Sequence, residues 1–135
     1  MIKIILNRQV CFVMPKKILI IEDEEVMYNL LARKLSSRGY EISIAKDGEE
    51  GLAKLREAMP DLVLLDIVMP KKDGFEVMEE MQKEDNLKAI PVIVISNSGQ
   101  PLEIERIKKL GAKDWLIKTE FDLQEVIEKV QKQIV

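Results

Sequence analysis

The chain has 135 residues, 47% hydrophobic and 33% charged, with a formal net charge of −3 from 21 basic and 24 acidic side chains. That balance suits one soluble globular domain able to bury a core without disulfides or a structural metal, and its interspersed charges argue against nucleic acid or an anionic membrane as a direct partner. A lone Cys11 and the lack of any histidine exclude an intrachain disulfide, a cysteine or histidine zinc site, imidazole acid–base catalysis and a phosphohistidine on this chain.

The opening MIKIILNRQVCFVM is apolar and carries basic residues, but it lacks a small-residue cleavage site before the acidic IEDEE. No secretory signal is read there, no apolar run approaches the roughly 20 residues of a membrane span, and a cytoplasmic location is expected. KILII at 17–21 reads as a strand, and Met27, Leu30, Leu31 and Leu35 then share one helical face. EISIA at 41–45 is the second strand, followed by a helix with Leu52, Leu55 and Met59 on one face. DLVLL at 61–65 is the third, and Phe75, Met78 and Met81 follow KKDG at helical spacing. PVIVI at 91–95 precedes Ile104, Ile107 and Leu110, and DWLI at 114–117 precedes Leu123, Val126, Ile127, Val130 and Ile134.

Several of these strands are nearly continuous aliphatic runs, as strands covered on both faces are. Five strands each followed by a helix predict an α/β fold: a flavodoxin-like, doubly wound, five-stranded parallel sheet of order 2-1-3-4-5 with helices on both faces. The spacing of units is too uneven for a solenoid, and no internal linker interrupts them.

In an open parallel sheet, ligands bind outside the carboxyl ends of the strands. Those ends carry Glu22, Asp23 and Glu24, then Asp66, then Ser96 and Asn97, then Lys118. Taken singly, an aspartate there caps a turn or a helix, a glutamate complements a helix dipole, and a serine or lysine is ordinary surface chemistry. Taken together they are not ordinary, because carboxylates about 4 Å apart repel by about 4 kcal/mol per pair at an effective dielectric near 20. Such a cluster requires a cation. Oxygen donors without histidine or cysteine select a hard divalent ion, and few carboxylates completed by water and phosphate oxygens suit Mg2+. Carboxylate nucleophile, metal, lysine and hydroxyl are the parts of an aspartyl-phosphate site.

The segments KILIIEDEE, PDLVLLDIVMPKKDGFEV, IPVIVISNSG and GAKDWLIKT, in that order across about residues 16–135, resemble the receiver domain of bacterial two-component response regulators. The resemblance implies a stand-alone, chemotaxis-regulator-like domain over 14–135, preceded by an extension over 1–13. It implies that Asp66 is the phosphoacceptor, taking a phosphoryl group from a sensor histidine kinase or a histidine phosphotransfer protein. Asp23 and Asp66 would ligate Mg2+ directly, Glu22 through water, and Val68 through its main-chain carbonyl. Lys118 and Ser96 would bind the phosphate, and Trp115 would follow Ser96 as the switch. The output would be a protein target at the face of the fourth helix, fifth strand and fifth helix, with no turnover of an external substrate.

Three positions depart from the usual pattern. Thr119 replaces the proline that normally follows the active-site lysine through a cis peptide, and we expect the cis geometry to be retained. Val68 lies two residues after the acceptor, where a polar group would orient water, and Asn97 narrows the approach; both predict slow self-dephosphorylation. The 1–13 segment reads as an inert extension or, from alternating Ile2, Ile4 and Leu6, as an edge strand or dimer contact. Among rivals, a haloacid-dehalogenase-like phosphatase would need an aspartate at Val68, and a nucleotide-binding fold would need a glycine-rich turn where EDEEVM stands. A pseudo-receiver that only binds a partner protein remains the alternative.

Overall fold

The structure, a computed structural model, describes residues 2–120 and 122–134. In chain order the elements are β1 (Ile2–Leu6), β2 (Gln9–Val13), β3 (Lys17–Ile21), α1 (Glu25–Ser37), β4 (Glu41–Ala45), α2 (Gly48–Ala58), β5 (Leu62–Asp66), α3 (Gly74–Gln82), α4 (Asp85–Lys88), β6 (Val92–Ser96), α5 (Pro101–Lys109), β7 (Asp114–Ile117) and α6 (Leu123–Gln133). The parallel sheet has the order β4-β3-β5-β6-β7, which is 2-1-3-4-5 when its own strands are counted. The expected flavodoxin-like architecture is therefore the observed one.

The aliphatic runs are explained by the two layers. Because side chains alternate along a strand, Leu19 and Ile21 join Val63, Leu65 and Val94 on one side, under α2, α3 and α5. Ile18 and Ile20 join Leu62 and Leu64 on the other, under α1 and α6. Every position of β5 and β6 is buried, so neither face tolerates a polar residue until the strand ends. Helix starts are fixed by side-chain caps: Asp47 accepts from the Glu50 N–H at 2.8 Å, and Asp122 from the Glu125 N–H at 2.7 Å. Asp73 and Glu76 form a reciprocal capping box at the start of α3.

Two strands run one residue beyond the sequence expectation, 62–66 and 92–96 rather than 61–65 and 91–95, so that Asp66 and Ser96 are the last strand residues rather than the first loop residues. The single-turn α4 has too few residues to show a period, and it went unpredicted; its Leu87 is buried. The first segment does not extend the main sheet. It folds back as an antiparallel β1–β2 hairpin with Ile4 opposite Cys11, through Asn7 and Arg8 at φ 50° and 66°, the left-handed pair of a tight hairpin turn. Among the described residues no helix is long and apolar enough to cross a membrane.

Candidate functional site

Parallel strands deliver their carboxyl ends to one edge, and there the expected side chains meet. Beyond β3, Glu22 is pinned by its N–H to the Ala45 carbonyl at 2.9 Å and is fully buried. Asp66, closing β5, is 1% exposed. Lys118 follows β7, its N–H on the Ser96 carbonyl at 2.8 Å, which aims the side chain back across the strand ends. Its ammonium donates to Glu22 Oε1 at 2.8 Å, Asp66 Oδ2 at 3.3 Å and Glu24 Oε2 at 3.4 Å.

One lysine does not satisfy this cluster. Carboxylate oxygens of Glu22, Asp23 and Asp66 lie within 4.8 Å of one another, and Glu22 Oε2 and Asp66 Oδ1 are buried without a hydrogen-bond partner. Buried acceptors left unmatched cost free energy. The imbalance shows in protonation: burial, reinforced by Asp66 and opposed by Lys118, pushes the Glu22 carboxyl up to about 8. Burial pulls the Lys118 ammonium down, but Glu22 and Asp66 outweigh it and hold the group above its ordinary value. Three carboxylates this close together, two of them with an unmatched buried oxygen, fit a hard divalent cation. The Val68 carbonyl accepts no protein hydrogen bond among the described residues and is free to join them, while the Val68 side chain is 64% exposed.

Not every expected residue points at the acceptor. Ser96 is buried at the end of β6, but its hydroxyl bonds the Ser98 carbonyl and Glu103 Oε1, each at 2.6 Å, rather than Asp66 or Lys118. Trp115 is half-buried on β7, with the ammonium groups of Lys108 and Lys129 4.9 and 5.8 Å from its ring centroid. The expected cis peptide is corrected: Lys118–Thr119 is trans, and Lys118 reaches both carboxylates from that geometry. A trans bond avoids the about 2.5–4 kcal/mol that a cis bond before a non-proline residue costs.

Sequence reasoning missed two contributors and one contact. Glu24, placed at the end of the first strand of the parallel sheet and read as a dipole partner for α1, also holds Lys118. Gly74 lies against the acceptor strand, where an added Cβ would stand 2.5 Å from the Asp66 carbonyl oxygen. Glu103 bonds Ser96 from seven residues away. Only Gly74 left a trace, as the glycine of KKDG.

The site is flanked by a groove of about 240 Å³ lined by Glu24, Val26, Met27, Leu30, Lys118 and the start of α6. A larger hollow of about 490 Å³ continues it over α1, past Asn29, Arg33 and Lys34, away from the carboxylates.

The family described as "Response regulator receiver domain" matches residues 18–131. The chain is 40% identical over 103 residues to the "Probable transcriptional regulator ycf27" of Cyanophora paradoxa, covering 76% of this chain and 42% of that protein. It spans about two-fifths of the length of the first curated relatives it matches. Among solved structures, the chemotaxis response regulator CheY4 of Vibrio cholerae superposes with a TM-score of 0.84 at 27% identity, over 90% of this chain and all of that one. The receiver domain of sensor histidine kinase PA1611 from Pseudomonas aeruginosa PAO1, solved with a magnesium ion coordinated in its active site cleft, gives 0.82 at 25% identity, over 90% and 98% of the two chains. With the family match over most of its length, the chain belongs to the response regulator receiver domain family.

Proposed function

We propose that the chain accepts a phosphoryl group on Asp66 from a phosphohistidine of a sensor histidine kinase or histidine phosphotransfer protein, with Mg2+ held by Asp23, Asp66, the Val68 carbonyl and, through water, Glu22. The observation that carries this reading is the pair of buried, unmatched oxygens on Glu22 and Asp66 beside Lys118 at 3.3 Å from the acceptor carboxylate. A carboxylate oxygen of Asp66 attacks phosphorus; the phosphorus–nitrogen bond breaks, its electron pair stays on the partner's imidazole, and an acyl phosphate forms. When bound, the metal offsets the charge of the carboxylates and of the transferring oxygens. Lys118 supplies the remaining positive charge and exchanges a carboxylate contact for a phosphoryl one. Glu22 and Asp23 hold their positions because β3 fixes the backbone beneath them.

The imidazole has to come from a partner, since this chain has no histidine. The groove beside Lys118, walled by Val26 at 71% and Leu30 at 44% exposure, offers that partner an apolar surface next to the acceptor. Output goes to a protein target at the α5–β7–α6 face, where Trp115 sits between two lysines, and the chain turns over no external substrate. Incubation with acetyl phosphate and Mg2+, followed by intact mass, tests the core of this reading. One added phosphoryl group is expected on the wild type and none on Asp66→Ala, and a wild type that stays unmodified refutes it. Labelling of the wild type at Asp66 decides against the pseudo-receiver alternative.

A further inference from the structure

The Ser96 hydroxyl owns a single proton, and that proton is already committed. Its oxygen lies 2.6 Å from both the Ser98 carbonyl and Glu103 Oε1, and accepts the Ser98 N–H at 3.1 Å. Glu103 is the third residue of α5. An acid there ordinarily reaches back to the N-cap N–H or simply favours the helix dipole. Here the N-cap N–H, that of Gln100, is taken by Ser98 Oγ at 3.1 Å. The ion pairs of α5 are made by Arg106 with Glu79 and Lys109 with Glu105, which leaves the half-buried Glu103 carboxylate turned inward on Ser96.

We propose that Glu103 is a positioning residue that holds Ser96 in a resting orientation, so that Ser96 releases Glu103 before it donates to a phosphoryl oxygen on Asp66. The inference rests on the phosphoacceptor reading above. At rest Glu103 and the Ser98 carbonyl share that one proton, and a phosphoryl oxygen competes with both for it, so Ser96 does not serve its resting contacts and the phosphoryl group together. A contact present in only one of two states biases their equilibrium by its own free energy. Glu103 belongs to the first turn of α5, so the exchange at Ser96 also frees the start of the helix that borders the output face.

Calorimetric titration of beryllofluoride, a phosphoryl mimic, in the presence of Mg2+ tests this with the full chain. Glu103→Ala is expected to bind about tenfold more tightly than wild type, a change equivalent to about 1.4 kcal/mol. Glu103→Gln, whose amide oxygen still accepts but carries no charge, gains less. In a Ser96→Ala background neither change at Glu103 has an effect, and the fluorescence of Trp115, the single tryptophan, shifts in unliganded Glu103→Ala towards that of the liganded wild type. A helix-stabilising role alone would lower the melting temperature and leave the affinity unchanged. Unchanged affinity in both variants, with the wild type binding normally, overturns the inference and leaves the phosphoacceptor reading standing. A gain that persists without the Ser96 hydroxyl overturns it as well. A wild type that binds no beryllofluoride overturns both. Should Glu103→Ala not fold, the near-isosteric Glu103→Gln decides by the same comparison.

Discussion

Asp66→Asn removes the acceptor's charge and keeps its shape, and the geometry predicts that in the absence of a divalent ion it does not destabilise the protein. Asp66 lies within 4.8 Å of the Asp23 and Glu22 carboxylates and 3.3 Å from the Lys118 ammonium. At an effective dielectric near 20, each ionised neighbour at that range repels it by about 3.5 kcal/mol, while Lys118 attracts it by about 5 kcal/mol. Above about pH 8, where Glu22 is ionised too, the two repulsions sum to about 7 kcal/mol and exceed the attraction. Below it only Asp23 repels, and the about 1.5 kcal/mol by which Lys118 then leads is outweighed by the desolvation of a carboxylate that is 1% exposed, several kcal/mol, which tips the balance against the native charge. An asparagine can still accept from Lys118, and its amide can donate to a carboxylate where Asp66 Oδ1 has no partner. We expect Asp66→Asn to gain about 1–3 kcal/mol in EDTA, or several degrees in melting temperature for a chain of this size. Saturating Mg2+ should reverse the order, since a ligand at 100 times its dissociation constant adds about 2.7 kcal/mol to the form that binds it. Thermal unfolding of both proteins in EDTA and in Mg2+ measures the four values. A mutant less stable than wild type in EDTA would mean that the Asp66 charge is a structural asset, and the argument for a cation would fail.

Further outcomes follow from the same geometry. Because the Glu22 carboxyl is raised from 4.5 to about 8, its contribution to stability is complete below its ordinary value and is lost as pH climbs through the folded one. Without divalent ions, this contribution should fall away between about pH 4.5 and 8, and Glu22→Gln should flatten that slope; a wild-type slope of opposite sign over its upper half in EDTA refutes the assignment. Gly74→Ala places a Cβ 2.5 Å from the Asp66 carbonyl oxygen and 2.8 Å from Ile67 Cα, so we expect a loss of about 1–3 kcal/mol together with slower labelling by acetyl phosphate; a stable, fully labelled variant would contradict it. The exposed Val68 side chain orients no water, so the phosphoryl group should persist on the wild type and turn over faster in Val68→Asn. A wild-type lifetime of only seconds would remove that reading.

The strands were legible because burial on both faces of a parallel sheet leaves a run of aliphatic residues that no helix of that length requires. Their ends were less so. Asp66 and Ser96 read as loop residues because they are polar, yet the backbone ladder carries Asp66 opposite Ile95 and Ser96 opposite Ile117. The β1–β2 hairpin escaped because QVCFV and IKIIL pair only with each other, and most of their side chains stay exposed. Among the site residues, Glu22, Asp23, Asp66 and Lys118 could be named in advance because each ends a strand or follows one within two residues. The Ser96–Glu103 bond could not, since the path of the loop between them is set by packing rather than by any local period.

The sequence by itself determined the succession of strands and helices, the absence of imidazole chemistry and of an intrachain disulfide, and the placing of carboxylates and one lysine where strands stop. The tertiary structure alone decided which of those groups touch. Lys118 meets Glu22 from 96 residues away and Asp66 from 52, distances along the chain that only the crossovers of a parallel sheet can close. It also decided that Ser96 faces Glu103 rather than the acceptor. A hydroxyl turns about a single bond, and its direction depends on which neighbours the surrounding packing presents to it.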